Sequence, residues 1–197
     1  MSGAIRVETD PPDSLGRYAS ISSAFDVQSV LDVSTGSVEQ VMARWPVKRL
    51  AQTYRKDYDA IAGNHPTDWS GLLHSSPMLQ LGAYDDDGRV GGALVLRDAP
   101  AVELLEGRRD VALLWDIRVA PARRGRGIGT MLFETAVMWA RSQECRALLV
   151  ETQDNNVPAC RFYAGQGCRL VAVRPHAYER FPEEVQLLWR TTLTSAS

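Results

Sequence analysis

Two apolar runs, Met78–Tyr84 and Arg89–Arg97, flank the polar segment Asp85-Asp86-Asp87-Gly88, and the glycine there permits a positive φ. This pattern predicts an antiparallel hairpin. A third run, Val111–Ala120, ends at Pro121 and completes a meander. Ile128, Met131, Leu132, Ala136 and Trp139 then recur at helical spacing and predict an amphipathic helix. Beyond it the pattern gives a strand over Ala147–Thr152, a helix over Asn156–Gln166 closed by Gly167, and strands over Cys168–Val173 and Val185–Leu193.

The N-terminal third is less regular. Residues 1–16 are rich in Pro, Asp, Ser and Gly and lack periodicity, so they are expected to form a flexible arm. Ile21–Val33 reads as a first strand. Ser37, a candidate N-cap, precedes Val38, Val41, Met42 and Trp45 at helical spacing. After Pro46 the positions Leu50, Tyr54, Tyr58 and Ile61 continue that spacing up to Gly63, which predicts a second helical stretch. Residues 17–197 are then one α/β (α+β) domain: a mixed, mostly antiparallel sheet of about six to seven strands with helices on both faces. The strand–helix–strand segment 111–152 is expected to be a right-handed parallel crossover.

With 22 Lys plus Arg against 24 Asp plus Glu, the net charge of −2 gives no global attraction to nucleic acid or an anionic membrane. No apolar run nears the roughly 20 residues of a membrane helix, and the N-terminus has no signal-peptide pattern, so a cytoplasmic protein is expected. Cys145, Cys160 and Cys168 lack metal-ligand spacing, and the chain holds three histidines. They read as reduced packing residues, with no metal expected.

The segment between strand and helix, Val119-Ala-Pro-Ala-Arg-Arg-Gly-Arg-Gly-Ile-Gly-Thr130, carries the clearest chemistry. Gly125, Gly127 and Gly129 let successive backbone N–H groups converge on an anion. A helix beginning near Ile128 adds its positive end. Arg123, Arg124 and Arg126 supply charge suited to a pyrophosphate. No lysine precedes Thr130, as a P-loop requires, and the glycine spacing is not that of a dinucleotide-binding turn. The spacing that fits is Arg/Gln-x-x-Gly-x-Gly, through Arg124, Gly127 and Gly129. A solvated glycine-rich turn is the plain alternative.

In this context the motif resembles the coenzyme A loop of the GNAT superfamily of N-acetyltransferases. Glu151–Cys160 (ETQDNNVPAC) and Phe162–Gly167 (FYAGQG) are similar to the strand-to-helix segment of the streptothricin acetyltransferases within it. Weaker similarity appears at Phe25-Asp-Val, at Tyr54–Tyr58 and at Glu184–Trp189. The resemblance implies the GNAT fold with a splayed parallel strand pair, and acetyl-CoA as cosubstrate. Main-chain groups of Ile117 and Val119 would pair with the pantetheine arm, with Ile117 N–H on the acetyl oxygen. Arg118, Arg124, Gly125, Arg126, Gly127, Ile128, Gly129, Thr130 and Asn156 complete the implied cofactor set. Asn156 reads equally as an N-cap of the following helix.

The same resemblance implies Tyr163 as general acid near the coenzyme A sulfur, or else a packing residue beside Phe162. Glu151, in an otherwise apolar strand, is a candidate base, or else an ion-pair partner. Asp116 is the candidate acceptor-side anion. Streptothricin-type relatives often carry Glu-Asp at this place, and this chain has Trp115-Asp116. Strand alternation puts those two residues on opposite faces unless a bulge intervenes. Tyr178 could line the acceptor side with Glu183 and Glu184, or be solvated. Tyr18, His65, His74 and His176 carry no motif. The expected reaction is acetylation of a small-molecule amine, possessing a streptothricin-like antibiotic among its candidate acceptors. A protein or peptide amino group, or a non-catalytic acetyl-CoA-binding module, are the alternatives. Two-chain assembly, common in the superfamily, has no sequence signature here.

Overall fold

The computed structural model describes residues 4–33 and 38–193. The chain forms β1 (Arg6–Thr9), α1 (Leu15–Tyr18), β2 (Phe25–Leu31), α2 (Val38–Arg44), β3 (Val47–Lys56), α3 (Ser70–His74) and β4 (Met78–Asp85). There follow β5 (Gly88–Arg97), β6 (Val111–Val119), α4 (Ile128–Ser142), β7 (Ala147–Gln153), α5 (Val157–Gly165), β8 (Arg169–Arg174) and β9 (Gln186–Thr192). Seven strands make one mixed sheet in the order β1-β4-β5-β6-β7-β9-β8, and β2 and β3 pair separately. The described residues divide into two compact units: 4–24, 57–148 and 193 in the first, and 25–33, 38–56 and 149–192 in the second.

In the first unit the predicted meander forms. β4 and β5 pair antiparallel around Asp86-Asp87, where Asp87 N–H donates to Asp85 Oδ1 at 2.9 Å and Gly88 takes φ +123°. Two successive glycines on β5 then set the packing of its two faces. A Cβ on Gly91 would stand 2.9 Å from the Arg118 carbonyl and 3.4 Å from Ile128 and Leu132 of α4. A Cβ on Gly92 would stand 2.7 Å from both the Leu81 carbonyl and the Tyr18 ring. The missing side chains admit α4 on one face and Tyr18 on the other. The buried stripe of α4 is Ile128, Leu132, Phe133, Ala136 and Ala140. Met131, expected in it, is exposed, because i, i+4 and i+5 positions face the sheet here.

Residues 4–16 do not form the expected arm. Arg6–Thr9 adds to β4 as an antiparallel edge strand, with Val7 opposite Ala83. Asp10 is buried, donating its N–H to the Gln80 carbonyl and accepting from the Tyr84 hydroxyl at 2.7 Å and from Arg89. The strand is four residues long and mostly exposed, so it has no hydrophobic periodicity to read.

In the second unit, β2 and β3 pair antiparallel with an irregularity between Val27 and Ser29. The second helical stretch expected from Leu50 is thus corrected to a strand. Trp45, at φ 46°, and Pro46 end α2, and the β-formers Val47 and Tyr54 pair with Leu31 and Val27 of β2. Ser37, the expected N-cap of α2, lies outside the described residues. Trp45 stacks on buried Trp189 at 6.1 Å and 17°, and the Trp189 indole donates to Thr152 Oγ1 at 2.9 Å. Lys56 and Glu184 form a buried ion pair at 2.5 Å, with the ammonium 3.7 Å from the Phe181 ring. Gly167, at φ +80°, ends α5, and Cys168 N–H donates to the Tyr163 carbonyl at 3.0 Å. All three cysteines are free and buried, and burial pushes the Cys160 thiol up to about 11. Among the described residues no helix is long and apolar enough to cross a membrane.

Candidate active site

Each unit gathers its own set of reactive groups. In the first, β6 turns through a short 3-10 helix, Pro121–Arg123, into the glycine-rich loop and α4. Gly125 and Gly127 take φ +75° and +81°, a region that costs an L-residue roughly 1–2 kcal/mol. Gly127 is the N-cap of α4 and brings no side-chain cap to it. The main-chain amides of Ile128 and Gly129 belong to the first helical turn, where the helix itself offers no acceptor. That geometry suits an anion.

The three arginines diverge. Arg123 turns back to the hairpin, its Nε 2.8 Å from Asp85 and its Nη2 2.8 Å from Asp87. Arg124 is exposed, and its Nε donates to the Val119 carbonyl at 3.0 Å. Arg126 is exposed. The loop therefore retains two arginines at its surface.

On β6, Ala120 N–H donates to the Val90 carbonyl, so the directly paired positions with exchanged hydrogen bonds are Arg118 and Asp116. Ile117 and Val119 accordingly turn their N–H and C=O groups away from β5. This is the main-chain edge expected to meet an extended arm.

The register of β6 on β5 shifts between Leu94 and Val95: Leu94 faces Asp116, but Val95 faces Leu114. Trp115 is the extra, bulged residue. The bulge lifts the strict alternation. Trp115 stands edge-on to Trp69 at 5.9 Å, Trp69 lies 6.5 Å from Tyr18, and the Tyr18 hydroxyl donates to Asp116 Oδ2 at 2.5 Å. Trp115 and Asp116 thus join one cluster.

Arg118 sits at its centre. Its Nε donates to Asp116 Oδ2 at 2.7 Å, and its Nη1 donates to the Ile21 carbonyl at 2.9 Å and to Asp59 at 3.2 Å. Its guanidinium carbon lies 5.0 Å from the Tyr18 ring centre. With a side chain 3% exposed, Arg118 has its guanidinium committed to carboxylates. Its guanidinium is thus held by Asp116, Asp59 and the Ile21 carbonyl. Burial and the Asp116 carboxylate push the Tyr18 phenol well above its ordinary range, so it stays a donor. Tyr18, Asp59 and Trp69 were not legible as site residues. They reach Asp116 and Arg118 from distant segments, and only a fold could reveal that.

In the second unit, Glu151 on β7 accepts from the Tyr178 hydroxyl at 2.5 Å, and Gln153 Nε2 donates to that hydroxyl at 2.9 Å. Burial raises the Glu151 carboxyl above its ordinary value, against the lowering effect of hydrogen bonds from Tyr178 and Gln186. Burial and the Glu151 charge push the Tyr178 phenol far up. Tyr178 is thus bound to Glu151, where the sequence suggested an acceptor-side or solvated residue. Tyr163 lies on the buried face of α5 with Val157 and Cys160, its ring edge-on to Phe162 at 5.2 Å. Asn156 caps α5, its Oδ1 accepting from Ala159 N–H at 3.2 Å.

The match to a family model defines the class of protein: residues 43–168 match the acetyltransferase (GNAT) family, and the chain belongs to it. Within that family, the chain is 40% identical over 80 residues to streptothricin acetyltransferase A of Bacillus subtilis (strain 168), covering 40% of this chain and 46% of that protein. It is 33% identical over 109 residues to streptothricin acetyltransferase of Escherichia coli, covering 53% and 63%. The chain thus spans about half to under two thirds of these curated relatives. Among solved structures, nourseothricin acetyltransferase superposes with a TM-score of 0.72 at 21% identity, over 97% of this chain and 99% of that one. A Bacillus anthracis str. Ames protein of proposed streptothricin acetyltransferase function, solved with acetyl coenzyme A, gives 0.72 at 19%, over 96% and 99%. These two likenesses establish the GNAT fold.

Proposed function

We propose that the chain is an acetyl-CoA-dependent N-acetyltransferase acting on a primary amine of a small molecule, with streptothricin-like antibiotics as the acceptor class. The observation that carries this reading is the left-handed Gly125/Gly127 turn into the start of α4, which has no side-chain cap, at the end of a strand whose Ile117 and Val119 amides turn away from β5. The likeness to two streptothricin acetyltransferases supports the acceptor class.

Bound acetyl-CoA supplies an activated thioester, so no covalent enzyme intermediate is needed. The first-turn amides of α4, with Arg124 and Arg126, hold the diphosphate. Ile117 N–H donates to the acetyl oxygen as charge develops there. An amine of pKa near 10 is mostly protonated at neutral pH and must lose a proton before attack. Glu151, raised by burial, takes that proton. Tyr163 returns a proton to the leaving sulfur. Asp116, held by Tyr18 and Arg118, attracts the acceptor ammonium beside the Trp115 and Trp69 rings.

A thiol-release assay with acetyl-CoA and an amine panel tests the reading. Turnover of a streptothricin or a comparable small amine is expected. Turnover of peptides alone, or saturable acetyl-CoA binding without turnover, would overturn it.

A further inference from the structure

We propose that Tyr178 is a positioning residue for the reaction: its phenol fixes the Glu151 carboxylate as an anion ready to take the acceptor's proton. This rests on the acetyltransferase reading above and extends it to a residue outside every motif of the chain.

The geometry carries the inference. Tyr178 lies in the segment between β8 and β9, 27 residues after Glu151, yet its hydroxyl donates to Glu151 Oε1 at 2.5 Å. The same hydroxyl accepts from Gln153 Nε2 at 2.9 Å, so its proton has one direction to point, toward the carboxylate. Gln153 Nε2 also lies 3.4 Å from Glu151 Oε1. The groups facing Glu151 are therefore Gln153 on its own strand, Tyr178 from the β8–β9 segment, Gln186 from β9, and the positive charge of Arg174 at the end of β8. A strand position that is otherwise apolar, Ala147–Val150, leads into Glu151, and a carboxylate there needs donors to remain charged. Tyr178 supplies one at 2.5 Å, against 3.4 Å for Gln153.

The proton step balances simply. The acceptor ammonium gives one proton to the Glu151 carboxylate, leaving a neutral amine and a neutral carboxyl. A donor that stabilises the charged form keeps Glu151 ionised at the pH where it must accept. It also holds the side chain in one rotamer, which a base needs for alignment.

The test compares the full chain with Tyr178→Phe and Glu151→Gln in two measurements. The first is the carboxyl carbon-13 titration of Glu151 by NMR, which needs no turnover. Loss of one hydrogen bond to a charged group should move its midpoint up by about one to two pH units in Tyr178→Phe. The second is the pH profile of kcat with one fixed amine, whose acid limb should move up by the same amount. Turnover above that limb should recover to within a few-fold of the unsubstituted protein. An unchanged midpoint, or a loss of the same factor at every pH, would overturn the role of Tyr178 and leave the base intact. Undiminished turnover in Glu151→Gln would overturn the base itself, and the positioning role with it.

Discussion

Replacing Arg118 with Met removes the cation that bridges Asp116 and Asp59 while filling most of the same apolar volume. The arginine makes contacts of 2.7 Å to Asp116, 2.9 Å to the Ile21 carbonyl and 3.2 Å to Asp59, and its side chain is 3% exposed. The two carboxylates are 21% and 16% exposed, so water replaces little of what is lost. Breaking a buried ion pair from one side costs about 3–5 kcal/mol, because the partner charge is left uncompensated. At about 2–4 °C per kcal/mol for a chain of this size, Tm should fall on the order of 10 °C. Differential scanning fluorimetry of Arg118→Met reads this directly. Adding Asp59→Asn should recover part of the loss, since it removes one of the stranded charges. Acetyl-CoA affinity should stay within a few-fold, because the guanidinium is occupied by Asp116, Asp59 and the Ile21 carbonyl. A Tm within 2 °C of the unsubstituted protein, or full additivity of the two substitutions, would refute the reasoning.

Glu151→Gln should raise Tm at pH 7.5 even as it lowers turnover. Burial raises the folded-state value above the ordinary 4.5, so the stability Glu151 contributes is present below that value and lost as pH rises through the folded one. The advantage of the glutamine should therefore shrink toward zero as the melts are taken below pH 4.5. An advantage that grows on acidification would contradict the sign. Tyr163→Phe should lower kcat by about 10²-fold while the acetyl-CoA Kd stays within a few-fold, measured by steady-state kinetics and equilibrium titration. Unchanged kcat would return Tyr163 to the packing role that its place on the buried face of α5 already supports.

The central meander, α4 and the strand–helix–strand segment after it were legible because their apolar runs are long and their turns carry glycine at Gly88 and Gly167. The glycine loop was legible for the same reason: its signal is local. β3 was not. Leu50, Tyr54 and Tyr58 happen to fall at helical spacing, whereas most of that strand is exposed and imposes no period of two. β1 was missed because an exposed edge strand needs only main-chain pairing. The Asp116–Arg118 cluster was half legible. Asp116 stood out as a charge among apolar neighbours, but Tyr18, Asp59 and Trp69 reach it through the fold alone. The bulge at Trp115, which decides whether Trp115 and Asp116 act together, is a property of β5 pairing and leaves no mark in β6. Tyr178 was singled out for its place between the last two strands, but its partner was not legible, because sequence cannot show that the β8–β9 segment folds back onto Glu151.

Isothermal titration of the full chain with acetyl-CoA, alongside Gly127→Val, tests the central claim most directly. A Cβ at Gly127 meets no atom within 4 Å, so the substitution acts through its φ of +81°, which valine avoids, and by crowding the turn where the diphosphate would sit. The account predicts saturable one-to-one binding by the unsubstituted protein and at least a tenfold weaker Kd in a folded Gly127→Val. No heat with acetyl-CoA or coenzyme A, or equal affinity in the two proteins, would contradict it.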